Sequence, residues 1–139
     1  MLAAVPEISF HTMNQLAFNQ PDLFPALADA SPEALDSLEF GLIGFDADTV
    51  VTLYNTFESR AAGLSLQRVI GQPLFTLVAP CMNNFMVAQR FEDAARSGVA
   101  LDETIDYVLT LRMRPAKVKL RLLAGPERGT RYVLVQRAS

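Results

Sequence analysis

From Ile105 to Met113 every second residue is large and apolar: Ile105, Tyr107, Leu109, Leu111 and Met113, with Asp106, Val108, Thr110 and Arg112 between them. A period of two is that of a strand with one buried face. Pro115 ends or turns it. Val118, Leu120 and Leu122 repeat the pattern, and Tyr132 to Gln136 form a third run beyond the turn Gly125-Pro126-Glu127-Arg128-Gly129. Three successive strands of this kind pair antiparallel and need a helical layer to cover their apolar face.

The upstream half supplies both. Gly41-Leu42-Ile43-Gly44-Phe45 and Thr49-Val50-Val51-Thr52-Leu53-Tyr54 are strand-like, and Asp46-Ala47-Asp48 joins them as a hairpin. Residues 55 to 68 lack β alternation and read as short helices. Gly71-Gln72-Pro73 breaks the chain, and the apolar segment Leu74 to Ala79 leads into Pro80-Cys81. A helix is predicted over Asn84 to Ser97, with Phe85, Ala88, Phe91 and Ala95 on one face and Gly98 as its stop. Before Phe40 the chain reads as helical: Leu23, Phe24, Ala26 and Leu27 make one short face. Ser31-Pro32-Glu33 opens a helix carrying Ala34, Leu35 and Leu38. The expected fold class is α+β, a five-stranded antiparallel sheet with helices on one face. Residues 1–39 form an N-terminal helical cap and 40–139 a sensing domain.

The chain has 139 residues, half of them apolar and 19% charged, which is globular composition with enough length for a core. No apolar run approaches the ~20 residues that span a bilayer. The N-terminus lacks the basic stretch of a signal peptide, and one cysteine without a disulfide framework fits the reducing cytoplasm. Net charge is −3, yet from Arg112 onward there are eight basic residues and one acid, Glu127. Arg112, Arg114, Lys117, Lys119 and Arg121 alternate with apolar residues, so we read them as the wet face of a sheet and expect no nucleic-acid partner. Asp46 and Asp48 sit in a loop too short for a calcium motif. Gly125 and Gly129 make a hairpin loop, with no helix or lysine following at the spacing a phosphate cradle needs.

Cys81 cannot form an intrachain disulfide or hold a metal by itself. Packing, nucleophilic catalysis, redox sensing and covalent anchoring of a small molecule remain open to it. A lone cysteine is most often a small core hydrophobe. Thiol catalysis needs a base, and the sole histidine, His11, lies in the N-terminal segment. Tyr54 read by itself caps a strand, and Glu58 is a solvated helix residue.

Taken together, Phe40-Gly41, Tyr54-Asn55 with Glu58, Val69-Ile70-Gly71, Val78-Ala79-Pro80-Cys81, Ser97-Gly98, and Met113 with Pro115 and Lys117-Val118-Lys119 resemble the photoactive yellow protein family, a light-sensing branch of the PAS fold. The resemblance covers about 100 residues, from Leu35 to Arg137. It implies a blue-light receptor whose cofactor, 4-hydroxycinnamic (p-coumaric) acid, is thioester-linked to Cys81 and isomerises from trans to cis. Tyr54 and Glu58 match the residues that hydrogen-bond its phenolate oxygen. Ile43, Phe75, Val78, Ala79 and Pro80 match the pocket wall and anchor, and Tyr107, Leu109 and Met113 the covering strand.

Physical chemistry asks for such residue types. A buried phenolate needs strong donors, and a tyrosine hydroxyl and a neutral carboxyl both qualify. Glu58, four residues past Tyr54, falls one turn into a helix that begins at Asn55, so the two converge. Proton transfer from Glu58 would leave a buried charge and partially unfold the N-terminal segment.

The chain departs from the family pattern at Ala62, where a threonine supports the tyrosine, and at Leu64, where an arginine shields the phenolic end. Leu109 and Leu111 replace usual aromatics. The implied partner is an unidentified downstream signalling protein, with no membrane association and a monomer or weak dimer. The second reading is a PAS interaction or ligand-sensing module without the chromophore; a thiol-dependent enzyme is the third.

Overall fold

The computed structural model describes residues 16–110, 115–127 and 129–137. Its elements follow the expected order: α1 (Leu23–Asp29), α2 (Pro32–Asp36), β1 (Gly41–Phe45), β2 (Val51–Tyr54), α3 (Thr56–Ala62) and α4 (Leu66–Val69). Then come a π-helical turn Leu74–Val78, a 3-10 turn Pro80–Met82, α5 (Ala88–Ser97), β3 (Leu101–Leu109), β4 (Ala116–Ala124) and β5 (Arg131–Arg137). The five strands form one antiparallel sheet in the order β2-β1-β5-β4-β3. The β1–β2 hairpin and the β3-β4-β5 meander are thus joined by pairing of β1 with β5, Gly41 opposite Val135 and Ile43 opposite Val133.

Both faces of the sheet are covered, not one. Ile43, Phe45, Val118, Leu120, Leu122, Val133 and Val135 face inward against Leu74, Phe75, Val78, Met82, Val87 and Phe91. Leu42, Leu123, Tyr132 and Leu134 face the other way, against Phe18, Leu23, Leu27, Leu35, Leu38 and Phe40. Two-sided burial is why β1 is buried at every position and reads as a nearly continuous apolar run rather than an alternation.

Local chemistry sets the element ends. Ser31 Oγ accepts the Ala34 amide at 3.1 Å and Pro32 opens α2. Asp46 Oδ1 accepts the amides of Asp48 at 2.9 Å and Val50 at 3.0 Å, closing the first hairpin with Thr49 at φ 63°. Gly98, at φ 70°, stops α5.

The structure corrects two further expectations. The helix expected from Asn84 begins at Ala88, because Asn84 Oδ1 accepts the Met86 and Val87 amides (3.0 and 3.2 Å) and holds a turn in place of helix. Phe85, expected on the apolar face, is 78% exposed. Arg121, expected on a wet face, is 5% exposed. It grips both Asp102 oxygens (2.9 and 2.8 Å) and donates from Nη1 to the Phe18 and Gln20 carbonyls (2.8 and 2.7 Å). That guanidinium ties the N-terminal segment to the sheet. Arg121→Ala is expected to lower stability by about 2–3 kcal/mol and to raise proteolysis or hydrogen exchange first around residues 16–30; unchanged exchange there would count against the tie.

Candidate functional site

Tyr54 closes β2 opposite Ile43, and the chain turns at once into α3. Asn55 makes that turn possible. Its Oδ1 accepts the Leu42 and Glu58 amides, each at 3.0 Å, and its Nδ2 donates to the Phe40 carbonyl at 3.0 Å and the Leu35 carbonyl at 3.3 Å. The cap starts α3 at Thr56 and so places Glu58 in its first turn, buried with Tyr54 (1% and 4% exposed). Gly41 on β1 leaves room for the acid: a methyl there would overlap Glu58 Oε1 and lie 3.0 Å from Cδ.

Glu58 has a partner that the sequence reading did not assign. Arg137 ends β5, on the same inward face as Val133 and Val135, and its Nη1 and Nη2 donate to Glu58 Oε1 and Oε2 at 2.8 and 3.1 Å. Burial pushes the Glu58 carboxyl above its ordinary value, and Arg137 pulls against that shift. Burial, and next the Glu58 charge, push the Tyr54 hydroxyl well above the usual tyrosine range, with Arg137 opposing. At neutral pH Tyr54 is therefore a protonated donor.

Cys81 lies in the 3-10 turn, half-buried and packed against the inner core. It opens on a cleft of about 690 Å³ whose walls include Asn84, Met86, Tyr107 and Val118. Tyr54 and Glu58 are not among those walls; both are buried. The main chain at the thiol is pinned: the Tyr107 hydroxyl donates to the Cys81 carbonyl at 2.5 Å, and Asn84 Nδ2 donates to the Tyr107 oxygen at 2.6 Å and to the same carbonyl at 3.2 Å. Asn84 went unassigned in the sequence, where it reads as a plain helix residue.

The structure gathers Ile43, Tyr54, Phe75, Val78, Ala79, Tyr107 and Leu109 into one buried cluster, with Leu64 and Cys81 packed on it. Ala62 is buried at the end of α3. Pro80 is exposed and acts through the backbone, opening the 3-10 turn. Met113 and Leu111 lie outside the described residues. The reactive groups around the inner core are thus a half-buried thiol on a cleft of mixed polar and apolar lining, a buried tyrosine donor and a buried carboxyl.

Known proteins provide an independent comparison. The chain is 31% identical over 125 residues to the photoactive yellow protein of Rhodothalassium salexigens, spanning 90% of this chain and 99% of that one. It is 32% identical over 125 residues to the photoactive yellow protein of Halochromatium salexigens, with the same coverage. The photoactive yellow protein domain of the sensor histidine kinase Ppr from Rhodospirillum centenum superposes with a TM-score of 0.74 at 33% identity, covering 81% of this chain and 98% of that domain. A PAS domain of an HTR-like protein from Haloarcula marismortui shares the fold at 14% identity, with a TM-score of 0.55 over 77% of this chain and 93% of that one. No protein-family model matches.

Proposed function

Because the chain belongs to the photoactive yellow protein family and has the PAS fold, we propose that it is a blue-light photoreceptor in which Cys81 carries a p-coumaroyl group as a thioester. One observation supports this most: the single cysteine lines a cleft and packs on the same inner core as Tyr54, four residues before the buried Glu58. When bound, the group supplies a blue-absorbing double bond that isomerises from trans to cis and a phenolic oxygen able to ionise. Cys81 anchors it, and the pinned Cys81 carbonyl fixes where the anchor points. Tyr54 donates its hydroxyl hydrogen toward the phenolic position. Glu58 holds a proton there in the dark and releases it after illumination. Ile43, Phe75, Val78, Ala79 and Leu109 exclude water. Ala62 and Leu64 leave the polar end with fewer side-chain partners, a setting for altered colour and recovery.

A carboxylate newly formed in a dry core costs on the order of several kcal/mol, against a domain stability of about 5–15 kcal/mol. The part that lets go is the N-terminal cap, residues 1–39, whose described residues from Leu16 onward pack on the outer face of the sheet. The role is sensory rather than enzymatic, cytoplasmic, and passed to a downstream signalling protein through that change of shape. Among the described residues no helix is long and apolar enough to cross a membrane.

The second reading, a PAS interaction or ligand-sensing module, has in its favour the kinship of the fold with PAS domains at large. Incubation with activated p-coumaric acid separates the two. One added acyl mass and a new visible band that bleaches under blue light support the receptor; no adduct favours the module.

A further inference from the structure

The Glu58 carboxyl meets a guanidinium head-on. Two parallel bonds, 2.8 and 3.1 Å, use both carboxyl oxygens as acceptors, which is the geometry of an ionised acid. The pair is enclosed, with the Glu58 side chain 2% and the Arg137 side chain 20% exposed, and Gly41 lets the carboxylate lie flat against β1. The other charged or titratable neighbours are known. Tyr54 faces the pair from β2. Glu39 before β1, Asp106 on β3, and Lys117 and Lys119 on β4 share a cleft with Arg137 on its outer side. Lys119 is engaged with Asp106 at 2.7 Å. Among the described residues, Arg137 supplies the cation that bonds to Glu58.

We infer that Arg137 is a positioning residue that sets when Glu58 holds a proton: it keeps the acid ionised while Cys81 is unmodified, and takes the carboxylate back once Glu58 has released its proton. The inference rests on the photoreceptor reading and deepens it. Glu58 has two alternative states. With a proton taken from the phenolic hydroxyl, which becomes a phenolate, it can donate back toward the phenolic oxygen, and the guanidinium remains as a nearby positive charge. Without it, the carboxylate rejoins Arg137 in the arrangement seen here, and the proton resides on the phenolic oxygen. The return contact limits how far the fold loosens and carries the event to β5.

The sign of the pH dependence follows. A carboxyl whose folded value lies above its unfolded one stabilises the fold fully below the unfolded value of about 4.5, and that contribution fades as pH rises through the folded value. Removing Arg137 takes away the groups that pull Glu58 down, so the folded value moves further up.

The test is infrared titration of the unmodified protein, reading the protonated-carboxyl stretch in wild type, Arg137→Gln, Arg137→Lys and Arg137→Gln/Glu58→Gln. In wild type at neutral pH no Glu58 carboxylic-acid band is expected. Arg137→Gln should show one, lost in the double variant, and Arg137→Lys should titrate between the two. A Glu58 band already present in neutral wild type, or identical titrations in wild type and Arg137→Gln, overturns the inference. If Arg137→Gln does not fold, the wild-type band and the Arg137→Lys titration decide it. In parallel, p-coumaroylation of wild type is read by mass; lack of an adduct overturns the photoreceptor reading, while the carboxyl titration still reports on Arg137.

Discussion

Cys81→Ser will fold like the wild type and take up no p-coumaroyl group. The reaction needs a nucleophile, and sulfur attacks an activated acyl group far more readily than a serine hydroxyl. The structural change is small. The site is half-buried, and the hydrogen bonds that hold it run from Tyr107 and Asn84 to the Cys81 carbonyl, which serine also has. Stability should therefore stay within about 1 kcal/mol of wild type. Intact mass after reaction with activated p-coumaric acid, alongside a thermal melt, gives both quantities. Equal acylation of the serine variant would place the label elsewhere and remove the anchor from the proposed function.

Asn55→Ala should be the most destabilising single change at the site. Its amide is the shared partner of four main-chain groups: the amides of Leu42 and Glu58 and the carbonyls of Leu35 and Phe40. At 2% exposure it lies where water replaces such partners poorly. Each buried group left unpaired costs about 1–3 kcal/mol, and partial relaxation brings the expected total to about 3–5 kcal/mol. Asn55→Asp keeps the two acceptor contacts and loses the two donors, so it should fall between. Urea unfolding monitored by circular dichroism measures the difference; a loss below about 1 kcal/mol would mean that other contacts set the α3 start. Loss of this cap also frees Glu58 from its position relative to Tyr54, so the pairing with Arg137 should weaken with it.

Much of this architecture can be read from the chain, for reasons that differ by element. The alternation of Ile105, Tyr107 and Leu109 reports β3 directly because only one of its faces is buried. β1 and β5 are buried on both sides, so their pattern names a strand but not the face each residue takes. The helix boundary near Asn84 was misplaced because its side chain competes for the very amides a helix would use. Arg121 looked solvated because its neighbours alternate, and nothing local announces that the Phe18 and Gln20 carbonyls come to meet it from a hundred residues away. Tyr54, Glu58 and Cys81 were visible as a constellation of residue types. Arg137 reads locally as one more basic residue, although two-residue spacing from Val133 and Val135 places it on the inner face. That signal was present, but the β1–β5 register that sets it against Glu58 is a long-range fact.

The adjacency of β1 and β5 has a practical result for anyone handling this molecule. Since Arg137 both ends β5 and grips the acid, a purification handle or reporter fused immediately after it would tug on Glu58 itself. Such appendages belong behind a generous spacer, and spectra from tightly tagged preparations should be compared with cleaved material.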